Sequence, residues 1–558
     1  MSIATPPPRP SSAGIDLPKP FLDWFASKGW RPRAHQLDLL EKAEAGQSTL
    51  LIAPTGAGKT LAGFLPTLVD LARRGRAKPG TRKPGVHTLY ISPLKALAVD
   101  IHRNLSMPVE EMGLPVAIET RTGDTPQSRR QRQKLNPPDI LLTTPEQLAL
   151  LLSHKDAERF FSDLRYVVLD ELHSLVTSKR GHLLALGLAR LHRLCPGLRT
   201  TGLSATVSEP DLLRQWLVPQ RSGREMAELV TVAGGAKPEI AILKSKERVP
   251  WSGHSARYAM PEVYEAIRQH RTTLLFVNTR SQSELLFQEL WKINDDNLPI
   301  ALHHGSLDVS QRRKVEQAMQ SNSLRAIVAT STLDLGIDWG DVDLVVQVGA
   351  PKGSSRMLQR IGRANHRLDD PSRALLVPSN RFEVLECEAA VEAVAEGHQD
   401  SEDPMPGGYD VLAQHVLGMA CAEPFLVDEL YAEITRAWPY RDVPREKFDK
   451  VLDFVASGGY ALRAYERYAR LKQNPDGRWR LSHPQVAQQY RLNIGTIIEE
   501  PMVRVRLVRA RGQKQGRTTG PIGAGGRVLG EMEEYFFGTL SLGDTFMFGG
   551  EIVAFEGM

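Results

Sequence analysis

The run Ala53-Pro54-Thr55-Gly56-Ala57-Gly58-Lys59-Thr60 follows a short apolar stretch and precedes an amphipathic one. Between a strand and a helix, such a run cradles phosphates: backbone N–H groups from Gly56 to Thr60 point at the anion, and the helix dipole favours negative charge there. Thr55, Gly56, Ala57 and Gly58 shape the loop. Lys59 is placed to neutralise the outer phosphates, and the Thr60 hydroxyl to hold Mg²⁺. The strict P-loop pattern asks for Gly where this sequence has Ala53; the rest is intact. A second cluster, Asp170-Glu171-Leu172-His173, closes the apolar run Tyr166-Val167-Val168-Leu169. The end of a parallel strand is where an α/β sheet presents its ligands. Asp170 is expected to hold Mg²⁺ through water, and Glu171 to orient or deprotonate an attacking water. Phosphoryl transfer also needs a cation on the charge developing at the γ-phosphate. Gln359-Arg360-Ile361-Gly362-Arg363 offers Arg363 first and Arg360 second, with Gln359 beside them. These clusters together describe a site that hydrolyses ATP with Mg²⁺.

The elements needed to position them are legible as apolar runs. Leu50 to Ala53, Thr88 to Ile91, Ile140 to Thr143 and Tyr166 to Leu169 read as buried strands separated by helical stretches. The pattern starts again with Thr273 to Val277, Ala326 to Ala329 and Leu344 to Val346. The fold class is therefore α/β, with two parallel-sheet lobes joined by a connector near Ala233 to Pro250. Helical stretches follow at Val411 to Ala420, Val427 to Arg436 and Arg445 to Ser457. Then come Tyr468 to Leu471 and Arg478 to Leu481, split by the hairpin signal Asn474-Pro475-Asp476-Gly477. Helices followed by a hairpin suggest a winged helix, which could bind DNA or merely brace the lobes. From Gly495 the chain turns β-like at Met502 to Val508 and Glu551 to Phe555, and the glycine-rich Gly520 to Gly530 reads as a connection. The expected segments are a Pro-rich disordered tail at 1–20, lobes at 21–235 and 236–400, a winged helix at 401–494 and the start of a β-rich domain at 495–558.

Composition narrows the partners. A net charge of +5 over 558 residues permits nucleic acid without establishing it. Cys195, Cys387 and Cys421 are isolated, which argues against a disulfide framework or a zinc site and for a reducing, cytoplasmic compartment. The N-terminal stretch lacks the apolar core of a signal peptide, and no uncharged run is long enough to span a bilayer.

Taken in order, the motifs resemble those of superfamily 2 DExH-box helicases. Gly29-Trp30-Arg31-Pro32-Arg33-Ala34-His35-Gln36 resembles the adenine-reading segment, with Gln36 as reader. Ser92 to Leu97 resembles motif Ia, and Ser204-Ala205-Thr206 motif III. Val328 to Asp338 resembles motif V, with Gly336 and Asp338 toward the nucleotide. Within that superfamily the chain is most similar to the Lhr (large helicase-related) group. Thr120 to Thr125 and Thr143-Thr144-Pro145-Glu146 look like its strand-contacting segments. Gln359 to Arg367 and Pro371 to Pro378 resemble the bacterial ligase-associated branch. Where the wider superfamily ends motif VI in a second arginine, this sequence has His366, with Arg367 one step later.

The resemblance implies two RecA-like lobes, coupling of hydrolysis to strand binding through His173, Ser204 and Thr206, and 3′-to-5′ movement on single-stranded DNA with duplex unwinding in DNA repair. It also implies bacterial, nucleoid-associated localisation, an ATP-dependent DNA ligase and a metallo-β-lactamase-fold exonuclease as partners, and a large C-terminal β-rich domain of which only the start is present. A strand held without sequence preference is gripped by its phosphates. Lys95, Arg121, Thr122, Thr144, Thr279, Arg280, His304, Gly305 and Thr330 are each expected in a loop after a strand, where all could line one face, and are the candidates. Phosphate grips do not report the 2′-hydroxyl, so an RNA helicase stays open, as does an ATP-gated DNA clamp that does not unwind.

Overall fold

The computed structural model describes residues 17–54, 56–75, 85–205, 207, 209–222, 224–232, 236–334, 342–364, 371–398, 400, 403–459, 469–495, 502–508 and 527–557. Thr55, Thr206, Gly336, Asp338, His366 and Arg367 lie outside these, as do residues 1–16 of the expected tail. The last residues assigned to that tail are ordered: Leu17 is buried and a helix begins at Lys19. Among the described residues no helix is long and apolar enough to cross a membrane.

The chain forms two compact units, residues 1–233 with 401–497, and residues 234–400 with 498–558. The first holds a seven-stranded sheet of β1 (Thr49–Ile52), β2 (Thr88–Ile91), β3 (Ile118–Arg121), β4 (Ile140–Thr143), β5 (Tyr166–Leu169), β6 (Arg199–Ser204) and β7 (Glu228–Thr231). Its spatial order is β3-β4-β2-β5-β6-β1-β7, and every pairing is parallel. The four apolar runs read as strands here are fully buried along their length, because helices cover both faces.

The second unit repeats the design with β8 (Glu239–Ile242), β9 (Thr273–Phe276), β10 (Ile300–His303), β11 (Ala326–Ala329), β12 (Leu344–Val348) and β13 (Arg373–Val377), in the parallel order β10-β11-β9-β12-β13-β8. The stretch expected to be a connector thus contains β8. It is an edge strand whose alternately exposed and half-buried residues carry little apolar signal.

The described residues 403–459 and 469–495 include the α-helices Tyr409–Ala422, Val427–Ile434 and Arg445–Ser457, a hairpin of β14 (Leu471–Gln473) and β15 (Trp479–Leu481), and the helix Pro484–Leu492. This is the winged helix, and its core is continuous with that of the first lobe. One buried carboxylate fixes how the two meet. Glu433, 3% exposed, accepts from Arg190 at 3.1 Å and Arg193 at 3.0 Å, both on the lobe helix Lys179–Leu194. Trp438 Nε1 donates to Gln215 at 3.1 Å nearby. The outward face of Arg445–Ser457 carries the pairs Arg445–Asp449 and Lys450–Glu446, so its basic residues are largely neutralised. The bracing role is therefore built in.

The C-terminal segment packs on the second lobe as β16 (Met502–Leu507) with β17 (Arg527–Glu533), and β18 (Thr545–Phe548) with β19 (Glu551–Ala554). The last residues of Gly520 to Gly530 are therefore strand rather than connection. Gly530 lies against the Ser306 carbonyl so closely that a Cβ would overlap it. Asp308 N donates to Leu529 O at 2.9 Å, and Glu531 N to Ser306 O at 2.9 Å. The β18–β19 turn is held by Glu284, buried in the helix Arg280–Lys292. Its two oxygens accept from Gly549 N at 2.6 Å and Gly550 N at 2.7 Å. Both glycines have positive φ, 65° and 80°, the turn geometry that an L side chain resists.

Two outcomes follow. Glu433→Ala leaves buried Arg190 with only Glu423 and returns Arg193 to Glu429 and solvent, and should lower stability by about 1–3 kcal/mol, read by denaturant melting. Replacing Arg190 and Glu433 together with apolar residues should recover most of the loss. Glu284→Ala should strip the turn amides of their acceptor at a cost of about 1–3 kcal/mol and raise hydrogen exchange at Gly549 and Gly550 roughly tenfold or more, with Glu284→Gln intermediate.

Candidate nucleotide and strand sites

In the first unit the residues singled out for chemistry sit in loops leaving the carboxyl ends of adjacent strands. The loop after β1 leads into the helix Lys59–Arg74 through Gly56 and Gly58, with φ of 79° and 75°. Both are left-handed, which is why glycine stands there. Lys59 Nζ donates to Ala53 O at 3.0 Å, folding back over its own loop. His35 Nε2 donates to Ala57 O at 3.0 Å. Gln36 is buried beside the loop: its Oε1 accepts from Arg33 N at 3.0 Å, and its Nε2 lies 3.3 Å from where a Gly58 Cβ would be. The adenine-reading candidate and the phosphate-loop candidates are thus packed together. Thr60 is half-buried in the first turn of the helix.

Asp170 lies just past β5. Its Oδ2 accepts from Tyr90 Oη at 2.6 Å and its Oδ1 from Glu171 N at 2.9 Å. Burial first, and then the Glu171 charge, push its carboxyl upward, while Lys59 opposes the shift. A buried carboxylate held high in this way is one that a cation would stabilise, and each oxygen keeps a lone pair for a metal-bound water. The donor set Thr60 and Asp170 therefore fits Mg²⁺. Glu171 has φ 48°, a left-handed conformation that costs a non-glycine residue of order 1–3 kcal/mol. Its Oε2 lies 3.5 Å from His173 Nε2, and His173 Nδ1 shares a hydrogen bond of 3.1 Å with Ser204 Oγ at the end of β6. Burial lowers the His173 pKa. A chain of contacts thus runs from Glu171 through His173 to Ser204.

The strand candidates occupy the other half of the same edge, after β2, β3 and β4. Lys95 is exposed and donates to Asp124 at 3.1 Å. Thr122 is buried in a turn, its N–H on Thr125 Oγ1 at 2.9 Å. Thr144 stands at the N-cap position of the helix Pro145–Leu152 with extended backbone, its side chain making no cap bond. Arg121 differs from the expectation. It is the last residue of β3, 3% exposed, and its guanidinium donates to Arg130 O at 3.2 Å. Burial and the Arg130 charge push it down to about 10.

In the second unit Thr279 caps the helix Arg280–Lys292 by accepting from Gln282 N at 3.2 Å. Arg280 donates to Ser306 at 3.0 Å and Glu533 at 3.3 Å. Gly305 is exposed, with only Thr332 near the place of a Cβ, and Thr330 is half-buried. Thr279, Gly305 and Thr330 follow β9, β10 and β11, neighbours in the sheet. His304 does not join them as expected: it is buried, with Nε2 2.9 Å from Glu284 Oε1, so the C-terminal turn and this ring share one carboxylate. Gln359 and Arg360 lie on the helix Ser354–Ile361, and Arg363 follows it, 4% exposed. Arg360 is also corrected. It donates to Asp334 at 2.8 Å and Gln347 at 2.7 Å and stacks 4.7 Å over Phe276, all within its own unit, so its charge is already spent.

Two groups were not foreseen from the sequence. Tyr90 is hidden in an apolar strand; a phenol in such a run calls for a buried partner, and that was the available signal. Arg180 donates to Glu146 at 2.5 and 3.0 Å and to Pro93 O at 2.5 Å, tying together the loops after β2 and β4. Nothing local announces that contact.

Comparison with known proteins matches residues 33–213 to the DEAD/DEAH box helicase domain, 258–367 to the helicase conserved C-terminal domain, and 392–558 to the winged helix domain of large helicase-related protein. The ATP-dependent helicase Lhr-Core of Methanothermobacter thermautotrophicus is 36% identical over 531 residues, covering 92% of this chain and 59% of that protein. The Lhr helicase/uracil glycosylase of Escherichia coli is 35% identical over 515 residues, covering 81% of this chain and 33% of that protein. The structure of Mycobacterium smegmatis helicase Lhr bound to ssDNA and AMP-PNP aligns with a TM-score of 0.76 at 33% identity, over 87% of this chain and 63% of that one. The chain spans about three fifths of the length of the archaeal relatives it matches. With two helicase domains followed by this winged helix, and with relatives of the same name along most of its length, the chain belongs to the Lhr (large helicase-related) family of helicases.

Proposed function

We propose that this chain is an ATP-driven motor that moves 3′-to-5′ along single-stranded DNA and unwinds duplexes in DNA repair. The observation that carries the reading is the division of one sheet edge. Loops after β5, β6 and β1 hold the nucleotide residues, loops after β2, β3 and β4 hold the strand candidates, and Tyr90 on β2 bonds Asp170 after β5 across the join. A nucleotide-dependent change at Asp170 or Glu171 is then felt at once by the strand loops, and through His173 by Ser204. The helicase Lhr of Mycobacterium smegmatis, solved with ssDNA and AMP-PNP, supports the choice of ligands.

Gln36 reads the base. Gly56 to Thr60 cradle the phosphates and Lys59 neutralises them. Magnesium, held by Thr60 and by Asp170 through water, would supply positive charge to the phosphate oxygens. Glu171 orients the attacking water. Arg363 is the finger, since the Arg360 guanidinium is spent on Asp334 and Gln347. Gln359, and Gly336 with Asp338, complete the nucleotide set. Lys95, Thr122, Thr144, Thr279, Arg280, Gly305 and Thr330 grip strand phosphates. The motif VI run from Gln359 to Arg367 favours the ligase-associated bacterial branch, with an ATP-dependent DNA ligase and a metallo-β-lactamase-fold exonuclease as partners.

The test is the ATPase rate without polynucleotide, with single-stranded DNA and with RNA, for wild type and Glu171→Gln. Strong stimulation by DNA, abolished in the variant, is the expected result. Equal or greater stimulation by RNA would move the assignment to an RNA helicase, and stimulation by DNA without directional displacement of a roadblock would make it a clamp. Ser204→Ala, which removes the partner of His173, should depress DNA-stimulated turnover more than unstimulated turnover, by roughly tenfold if the coupling is within the usual range of about 1–3 kcal/mol.

A further inference from the structure

The helix Ser354–Ile361 carries Gln359 and Arg360, and Arg363 hangs from its end, with its N–H on Arg360 O at 3.0 Å. The first N–H groups of a helix have no partner within it and call for an acceptor at the N-cap, or for a negative charge near the positive end of the dipole. This helix provides neither. Its N-cap is Gly353, which has no side chain to cap with, and its first turn holds no acid.

The acceptor comes from far along the chain. Asp400 Oδ1 accepts from Ser355 N at 2.9 Å and from Ser354 Oγ at 2.5 Å, and the Asp400 carbonyl accepts from Ser355 Oγ at 2.6 Å. Gly353 has φ 98°, and a Cβ there would overlap the Asp400 carboxylate. Only glycine at that place lets the acid come so close. Burial works to raise the Asp400 pKa, but the Ser354 hydroxyl and the Ser355 amide outweigh it and hold the carboxyl below its ordinary range, so it is ionised at neutral pH.

Near the other end, Arg360 donates to Asp334 at 2.8 Å. Two carboxylates from elsewhere in the same unit therefore fasten this helix, Asp400 at its start and Asp334 near its finish. With the start released, the helix can turn about the Arg360–Asp334 pair, and Arg363 turns with it. A reacting group misplaced by about 1 Å can cost on the order of a hundredfold in rate.

We propose that Asp400 is a positioning residue for ATP hydrolysis: by capping the helix Ser354–Ile361 it sets the placement of the Arg363 finger. This rests on the reading of Arg363 as the finger. Asp400 is the last residue of the second unit, and the chain continues from it into the winged-helix segment of the first. Because the cap comes from that residue rather than from position 353, the placement of the helix depends on the segment that leaves the unit.

The experiment uses the full chain. The kcat and KM for ATP are measured with saturating single-stranded DNA for wild type, Asp400→Ala, Asp400→Asn, Arg363→Ala and the double variant Asp400→Ala/Arg363→Ala. AMP-PNP affinity and melting temperature, read for each, separate a displaced finger from a chain that has not folded. Asp400→Ala should lower kcat by roughly ten- to a hundredfold with KM and AMP-PNP affinity unchanged. Asp400→Asn, whose amide oxygen still accepts, should recover most of the loss. The double variant should be no slower than Arg363→Ala alone, since a positioning residue has nothing to position once the finger is gone. A wild-type kcat in Asp400→Ala would overturn the role, as would a raised KM with kcat intact. An equal further loss on the Arg363→Ala background would show that Asp400 acts by another route, and would overturn it while leaving the finger reading intact. Full turnover in Arg363→Ala would overturn the finger reading itself, and the inference with it.

Discussion

All strands of the two large sheets run parallel, and the rest of the structure depends on that constraint. Parallel neighbours cannot be joined by tight turns. Each strand must be followed by a crossover, so every loop leaving a carboxyl end gathers at the same edge. In the first sheet the order β3-β4-β2-β5-β6-β1 then decides which chemistries become neighbours. Residues far apart in sequence, such as Lys59 and Asp170, are brought together because only one strand, β6, separates β1 from β5. The second sheet reproduces the arrangement, with β10-β11-β9-β12 in the places of β3-β4-β2-β5.

Within that frame, three buried carboxylates do what apolar packing cannot. Asp170 takes a phenol and an amide, Glu433 two arginines, and Glu284 two amides and an imidazole. An apolar face can slide against another at little cost. A buried carboxylate tolerates only the position in which its donors meet it, because the unpaired charge costs several kcal/mol. Each of the three marks a join: between halves of the first sheet edge, between the first lobe and the winged helix, and between the second lobe and the C-terminal strands.

The sequence was most informative where structure is local. The phosphate loop, the acidic strand end and the buried strands could be read because a strand, a glycine turn and a helix start are all encoded within a few residues of each other. It was least informative where burial is conferred from far away. Arg121, His304 and Arg360 hold positions after strands or on a basic helix, which is all that a position along the chain reveals. What removes them from solvent is Arg130, Glu284 and Asp334, and no spacing rule brings those pairs together. Likewise β8 lacks a continuous apolar run and reads as part of a connector, and Tyr90 reads as one more residue of a buried strand.

The interleaved division of the chain has a consequence for its biogenesis. Neither unit is a continuous stretch: the first needs residues 401–497 and the second needs 498–558. The first lobe shares its core with helices that leave the ribosome only after the whole second lobe has been made. At about 5–20 residues per second, the apolar face that will receive Val411, Leu412 and Val416 stays uncovered for on the order of tens of seconds. During nascent-chain synthesis, that face is a natural client for chaperones, and a ribosome stalled in the second lobe would release a fragment whose first lobe has folded but cannot be sealed.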